Sequence, residues 1–371
     1  MKKLNKKFLK NIEWSILVCV VILIAIGCIA LYSSTQSTEF DELKKQLIWL
    51  AISIPIMVAI IAIDYELILK AVPIGYIIMF ILLVLVLFTE PINGATSWFT
   101  IGSFSIQPAE FTKIFVIASL ALAITKVQEN GKEEISKLSK LFMCLLIVIV
   151  PVLLIIKQPD YGTAIAFVVA TIFMLFVAGI NKKYIIFSLL ATVIIVPVLY
   201  LYVLPIHAKT RIDVFLNPNL DPRGSGYNII QSKLAIGSGQ LFGMGYMQGN
   251  QTQLGYLYPK TTDFIFSVIG EEMGFLVAAL VIVLYIILIT KSIYIAKTAK
   301  DDKGAYLAIG ISGIFAFHMV QNIGMTMGLL PITGVPLPFV SYGGSSLLTN
   351  LIMIGLLLNI SGRRKKSLFI E

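Results

Sequence analysis

Long apolar runs separated by short polar segments form the main pattern of the chain. Each run has roughly 20 residues, enough for an α-helix to cross the ~30 Å hydrocarbon core of a bilayer. A transmembrane β-barrel would instead show short segments in which apolar and polar residues alternate. The pattern therefore predicts an all-α, polytopic membrane protein with about ten transmembrane helices, at residues 12–33, 45–64, 71–89, 108–126, 141–157, 161–180, 184–204, 264–290, 305–328 and 343–361.

The basic residues orient these predicted helices. Most of the 29 lysines and arginines fall in the two terminal segments and in every second connection. Cytoplasmic segments of membrane proteins carry such an excess, so both termini are predicted to be cytoplasmic. The net charge of +9 therefore orients the protein, and we expect no nucleic-acid partner. Residues 1–371 are predicted to form one membrane domain, whose first span lacks a small-residue cleavage site and is kept as an anchor.

Two outer connections are longer than the others. One covers residues 89–111, and the other runs from about 205 to 262, before the eighth predicted helix. Long connections in a compact protein are usually functional or disordered. The apolar residues between Ile229 and Ile236 predict a short helix that could lie at the membrane interface, which argues against disorder. The functional surface is therefore predicted to face outward.

Ionisable residues inside a bilayer are costly, so each one suggests a specific role. Glu110 and Lys113 are three residues apart and share one face of a helix. They either neutralise each other or provide a cation beside a polar cavity. Lys157 and Asp160 bracket a proline-containing turn, where Asp160 either caps the following helix or helps to hold a cation or a diphosphate.

Asp263 marks the point where the long outer connection re-enters the membrane. A partly desolvated carboxylate there has its pKa raised toward the range that suits a general base, although it could also cap the helix. Glu271 and Glu272 follow about 12–13 Å deeper, at 1.5 Å per residue. We expect them to pair with polar groups inside the bundle. His318, in a predicted span, is either a hydrogen-bonded packing residue or a proton relay.

Five stretches along the chain carry a family resemblance. The segment VPLPFVSYGGSS, which ends at Ser346, is similar to the signature of the SEDS proteins (shape, elongation, division, sporulation). The likeness covers essentially the whole chain and is strongest to the members that act in elongation and rod shape. The other stretches are NGATSWFTIGSFSIQPAEFTKI, KQPDYGTA, GYNIIQSKLAIGSGQLFGMGY and TTDFIFSVIGEEMGF.

The resemblance implies an enzyme that polymerises peptidoglycan. Its members polymerise lipid II on the outer face of the bacterial cytoplasmic membrane, together with a class B penicillin-binding protein that acts as a transpeptidase. By resemblance, Asp263 corresponds to the essential aspartate of the family and Trp98 to a loop tryptophan important for function. Glu110, Lys113 and Asp160 correspond to polar positions around the central cavity. Lys260 is a departure, because many members carry an acid near this position.

These roles lead to an expected mechanism. Asp263 accepts the proton of the GlcNAc 4-hydroxyl, whose oxygen attacks C1 of MurNAc on the donor, so that undecaprenyl diphosphate leaves and the linkage inverts from α to β. Candidate groups for the diphosphate are Lys113, Lys157, Arg211 or a divalent cation, Mg²⁺ or Mn²⁺. Ser341 and Tyr342 of the signature are expected to join Trp98 in binding the substrate or the nascent glycan strand.

Three other functions compete with the polymerase. A flippase for lipid-linked precursors also needs many spans and a polar cavity, but its pathway charges should extend to the cytoplasmic side. A scaffold that only activates the transpeptidase would not need Asp263. A solute permease is supported by the number of helices alone.

Overall fold

The computed structural model describes residues 6–92, 94–102, 104–222 and 224–364. Nearly all of their regular structure is helical, and the short strands β1 (Phe99–Ile101) and β2 (Phe104–Ile106) pair antiparallel in the first of the two long connections. The helices are α1 (Lys6–Asn11), α2 (Trp14–Ser34), α3 (Asp41–Ala62), α4 (Tyr65–Leu85), α5 (Pro108–Gln128), α6 (Leu138–Lys157), α7 (Tyr161–Val177), α8 (Lys182–Val198), α9 (Ile206–Leu216), α10 (Ser225–Ser238), α11 (Asn250–Gln253), α12 (Ile265–Thr298), α13 (Asp302–Thr326) and α14 (Gly344–Gly362).

Helices occur at all ten positions predicted for spans, and the polytopic, all-α prediction is confirmed. Within the described residues, 8 helices are long and apolar enough to cross a membrane: α2, α3, α4, α6, α8, α12, α13 and α14. The remaining two predicted spans correspond to α5 and to α7, which is apolar and has 17 residues. The number of ten spans stays a prediction.

Helices α13 and α14 form the centre of the bundle. α14 is buried on nearly all sides and packs against α3, while α13 packs against α5, α7 and α12. Helix association in lipid depends on close packing, which small residues permit. A Cβ at Gly313 of α13 would lie 3.0 Å from the Cα of Ala170 of α7, so these two helices meet backbone to backbone.

The second of the two long connections is largely helical in its described residues. It contains α9, α10 and α11, and α10 is the helix predicted from its apolar residues. α10 packs on α12 and α13 through Ile229, Ser232 and Ala235, which are buried. The hydroxyl of Ser232 donates to the carbonyl of Thr326 at 2.7 Å. This connection therefore forms part of the folded domain.

Part of the same connection enters a break in α12. The backbone of α12 leaves the helical conformation at Gly274, where φ is +77°. Beside the break, the N–H of Phe275 donates to Gln240 O at 2.8 Å, and the N–H of Met244 donates to Glu271 O at 2.8 Å. A Cβ at Gly243 would lie only 2.1 Å from the carbonyl oxygen of Glu272. Non-helical backbone at membrane depth is tolerated where protein covers it, and residues 239–244 provide that cover.

Candidate active site

A cavity of about 560 Å³ opens where the loop before α12 meets the starts of α5, α7 and α14. Its walls also include α3, α9 and the β1–β2 hairpin. The sequence predicted nine site residues, and six of them line this one cavity: Trp98, Glu110, Asp160, Arg211, Asp263 and Tyr342. The fold therefore assembles residues that are up to 244 positions apart (342 − 98) in one place.

The other three predicted residues lie outside the lining of this cavity. Lys113 is fully buried behind Glu110. Ser341 is buried beneath the segment that carries Asp263, where its hydroxyl donates to Thr262 O at 2.6 Å. Lys157 ends α6 with an exposed side chain. Neither Lys113 nor Lys157 therefore faces the cavity, and Arg211 does.

Asp263 lies just before α12, and its backbone is held from two sides. The side-chain amide of Asn322, on α13, donates to Asp263 O at 3.0 Å and to Val335 O at 2.8 Å. The N–H of Tyr342 donates to Thr261 O at 2.9 Å. The chain around residues 335–342 and α13 thus fix the position of the carboxylate at the cavity wall.

The carboxylate of Asp263 has the electrostatics of a base that works near neutral pH. Removal from water and the negative charge of Asp160 together raise its pKa from 3.8 to about 6, against the opposing effects of the neighbouring Thr262 side chain and the positive charge of Arg211. Such a carboxylate is ionised at pH 7 yet more basic than a solvated aspartate.

The position of Asp160 is compatible with both functions considered from the sequence, capping of the following helix and holding of a cation or a diphosphate. It caps α7, because its Oδ1 accepts the N–H of Thr163 at 3.1 Å. Its Oδ2 accepts from the side-chain amide of Gln107 at 2.7 Å, and the residue also lines the cavity. Removal from water raises the pKa of this carboxyl group despite the hydrogen bond from Thr163. The N-cap prediction is confirmed.

Glu110 and Lys113 form the predicted ion pair inside the bundle. Lys113 Nζ lies 2.9 Å from Glu110 Oε1 and 3.3 Å from His318 Nε2. The other oxygen of Glu110 accepts from the hydroxyl of Thr349 at 3.1 Å. His318 Nδ1 is 3.1 Å from Pro336 O, so His318 connects this ion pair to the chain segment that also contacts Thr261 and Thr262, just before Asp263.

The sequence did not suggest the contribution of α3. Glu42, Lys45 and Trp49, spaced so that they share one helix face, line the cavity, and Trp49 meets Phe104 edge to face at 6.0 Å. Charged residues at the start of a membrane helix such as α3 are common, because they lie at the membrane surface, so they gave no sign of a functional site. Tertiary packing alone brings this face to the site, since a Cβ at Gly344 would lie 2.0 Å from Trp49 Nε1.

The side chains that line the cavity determine whether it could bind the predicted divalent cation. In the described part of the chain, no group of three or more His, Cys, Asp and Glu is arranged to hold a metal ion. Carboxylate oxygens suit Mg²⁺, and Asp160 and Asp263 line the same cavity. These two residues would hold such an ion only if a substrate and water supplied the remaining ligands.

Comparison with known proteins identifies the family. The family model described as cell cycle protein, FtsW/RodA/SpoVE, matches residues 13–366, so the chain belongs to this family, the SEDS proteins. A relative named probable peptidoglycan glycosyltransferase FtsW, from Trichlorobacter lovleyi, is 40% identical over 98% of this chain and 96% of its own length. The peptidoglycan glycosyltransferase MrdB of Escherichia coli is 33% identical over 96% of this chain and 95% of its own.

Two solved structures share the fold. A chain from the structure described as structural coordination of polymerization and crosslinking by a peptidoglycan synthase complex has a TM-score of 0.83 and 26% identity, and covers 96% of this chain and 99% of its own. The crystal structure of the rod shape determining protein RodA of Thermus thermophilus has a TM-score of 0.71 and 25% identity, and covers 96% and 98%. This protein is therefore a multi-pass membrane protein of the same architecture.

Proposed function

We propose that this protein polymerises glycan strands from lipid II at the outer face of the bacterial cytoplasmic membrane. It is an enzyme of the peptidoglycan glycosyltransferase class, as its curated relatives are named. The observation that carries the proposal is Asp263, a half-buried carboxylate with a raised pKa that lines a polar cavity where a helix enters the membrane. Lipid II has its sugar diphosphate at the surface and its polyprenyl tail in the bilayer, so its base must lie at this depth.

The chemistry is an inverting transfer of a glycosyl group. Asp263 takes the proton of the GlcNAc 4-hydroxyl as the oxygen attacks C1 of the donor MurNAc. The bond between C1 and the diphosphate breaks, and its electron pair leaves with undecaprenyl diphosphate. General-base assistance of this kind contributes roughly 10²–10⁴-fold to a rate.

The leaving diphosphate requires positive charge. Arg211 lines the cavity and its charge acts on Asp263, so it stands near the reacting groups, unlike Lys113 and Lys157. A guanidinium group suits the bidentate recognition of phosphates. A divalent ion held by Asp160 and Asp263 would add Lewis-acid stabilisation of the same charge.

Replacement of Arg211 by Met is expected to lower polymerisation at least tenfold, because the developing charge on the diphosphate loses a donor. It should also raise the apparent pKa of the base, since the charge of Arg211 holds the pKa of Asp263 down. Rates of lipid II consumption across pH 5 to 9 would measure both effects. Lys209→Met, two residues away on the same helix and outside the lining, serves as the control.

The rate of the wild-type enzyme should depend on pH through Asp263. The base works when ionised, so kcat/KM should rise with pH, with an apparent pKa of about 6, and then level off. The measurement is the initial rate of polymerisation at saturating and at limiting lipid II, after a stability check at each pH. A profile that is flat between pH 5 and 7 would contradict the assignment of Asp263 as the base.

We assign the enzyme to cell-wall elongation and rod shape, with a class B penicillin-binding protein as its transpeptidase partner. The resemblance of the signature favours this role, while the relatives include FtsW, RodA and a sporulation protein. Complementation distinguishes the roles: the gene should restore rod shape to cells depleted of their elongation polymerase and should fail to restore septation.

Polymerisation of labelled lipid II by the purified protein, with and without the partner transpeptidase, tests the function. The expected product is a glycan ladder that muramidase degrades. If no ladder forms even with the partner present, the polymerase is rejected. Transport of lipid II across vesicle membranes would then identify a flippase, and stimulation of the transpeptidase alone would identify a scaffold.

A further inference from the structure

Glu271 lies one residue from Glu272 in the first part of α12, and neither lines the cavity. Both side chains are buried. Burial of a carboxylate is costly unless hydrogen bonds compensate for the lost hydration. The mechanism proposed above uses neither group, so the position of each carboxylate calls for an explanation.

Both carboxylate oxygens of Glu271 accept hydrogen bonds from residues of α11. Its Oε1 accepts the N–H of Gln251 at 2.7 Å, and its Oε2 accepts the N–H of Thr252 at 3.0 Å and the hydroxyl of Thr252 at 2.6 Å. A Cβ at Gly249 would lie 2.6 Å from Oε2, so the absence of a side chain there permits the contact. Hydrogen bonds between backbone N–H groups and an ionised carboxylate are among the stronger ones in proteins.

The neighbouring Glu272 makes fewer hydrogen bonds to α11. Its Oε1 accepts one hydrogen bond, from the side-chain amide of Gln253 at 2.8 Å. Its Oε2 has no partner among the described residues. The two adjacent acids therefore differ in kind, since Glu271 binds the backbone of α11 and Glu272 binds one flexible side chain.

From α11, the contacts continue to the segment that carries Asp263. Lys260 Nζ donates to Thr252 O at 3.0 Å, and the N–H of Leu257 donates to Gln251 O at 3.2 Å. Lys260 lies three residues before Asp263, and Leu257 is buried. Glu271 and Asp263 are thus connected through two residues of α11, each of which contacts the loop that leads to the base.

We propose that Glu271 is a positioning residue, which holds α11 and, through Lys260, sets the placement of Asp263 in the cavity. The proposal rests on the proposed function of Asp263. A displacement of about 1 Å at a reacting group can cost ~10²-fold in rate, so the arrangement affects the chemical step more than substrate binding.

The test compares E271Q with E272Q in the full chain. An amide at position 271 presents N–H groups to backbone N–H donors, whereas an amide at position 272 still accepts from Gln253. We expect E271Q to lower kcat at least tenfold with KM within about twofold, and E272Q to stay within about twofold of wild type in both. Thr252→Val, which removes one of the three hydrogen bonds, should show a smaller loss in the same direction.

A double variant separates positioning from a general loss of stability. K260M should lower kcat, and E271Q combined with K260M should lose little more than E271Q alone, because both act through the same contact. Multiplicative losses, or equal losses in E271Q and E272Q, would overturn the proposal. So would a wild-type kcat in E271Q. If E271Q does not fold, an unchanged kcat in Thr252→Val and K260M would overturn it.

Hydrogen exchange tests the connection between Glu271 and the segment of Asp263 independently of catalysis. E271Q should speed exchange of the amides of residues 250–263, and E272Q should not. Unchanged exchange in this segment would reject the positioning function. If E271Q shows the expected exchange result but the wild-type protein makes no glycan, the polymerase assignment fails and the structural connection stands, so the two failures are distinguishable.

Discussion

Replacement of Asp263 by Asn is expected to lower glycan polymerisation by roughly 10²–10⁴-fold, the usual contribution of a general base. The amide keeps the shape of the side chain and its neighbours but cannot accept the proton of the attacking hydroxyl. The measurement is the initial rate of lipid II consumption by wild type and variant, together with lipid II binding. We expect binding within about threefold of wild type, because the variant removes an interaction of the transition state.

The same variant should not be less stable than wild type at pH 8. The folded protein raises the pKa of Asp263 from 3.8 to about 6, so the ionised form is disfavoured by folding. The ionisation of Asp263 therefore does not affect the free energy of unfolding below pH 4, lowers it progressively between pH 4 and 6, and lowers it by a constant amount above pH 6. An uncharged amide avoids this cost, and the stability of D263N relative to wild type should rise over that same interval.

Asp221→Asn is the matched control for this experiment. Asp221 lies in the same long connection, outside the cavity lining, and its carboxylate accepts the N–H of Ser225 at 2.8 Å. An amide oxygen can keep that hydrogen bond, so D221N should polymerise at nearly the wild-type rate. If D263N retained the wild-type rate while folded, Asp263 would have no part in the chemistry.

The hydrophobic pattern was sufficient to locate the helices of this fold. Each predicted span coincides with a helix because roughly 20 apolar residues in a bilayer have few other structures available. The short helix between Ile229 and Ile236 was predicted for a similar reason, from apolar residues at helical spacing. The break at Gly274 could not be predicted, because it depends on residues 239–244 packing against it.

Prediction of the site was uneven for a physical reason. Asp263, Asp160 and Glu110 stood out because ionisable groups at membrane depth are rare. Lys113 and Lys157 stood out for the same reason, but one points into the bundle and the other into the surroundings. Lys45 and Trp49 had no such signal, since lysine and tryptophan are ordinary residues near a membrane surface. Their position in the cavity follows from the packing of α3 on α14.

Replacement of Lys113 by Met is expected to destabilise the protein by about 3–5 kcal/mol. Lys113 is fully buried, and its amino group lies 2.9 Å from the carboxylate of Glu110. The variant leaves a buried negative charge whose one remaining hydrogen-bond partner, among the residues that the structure describes, is the hydroxyl of Thr349. Unfolding in mixed micelles of mild detergent and SDS would measure the loss.

Lys137→Met provides the control, because Lys137 and Glu134 have the same spacing as Lys113 and Glu110. Their ion pair has a distance of 2.6 Å, but the lysine side chain is exposed. An exposed pair contributes about 0–1 kcal/mol, so K137M should be nearly neutral. Similar losses in K113M and K137M would show that burial of the Glu110–Lys113 pair has no energetic weight.

The double variant E110Q/K113M distinguishes stability from activity. With neither charge present, no ion is left unpaired, and most of the stability lost in K113M should return. Polymerisation should stay at least tenfold below wild type, because the Glu110 carboxylate lines the cavity and Lys113 supports His318, which contacts Pro336 O. Recovery of both properties would make the pair purely structural. Recovery of stability without recovery of activity would mean that the reaction, and not the fold, requires the charges of Glu110 and Lys113.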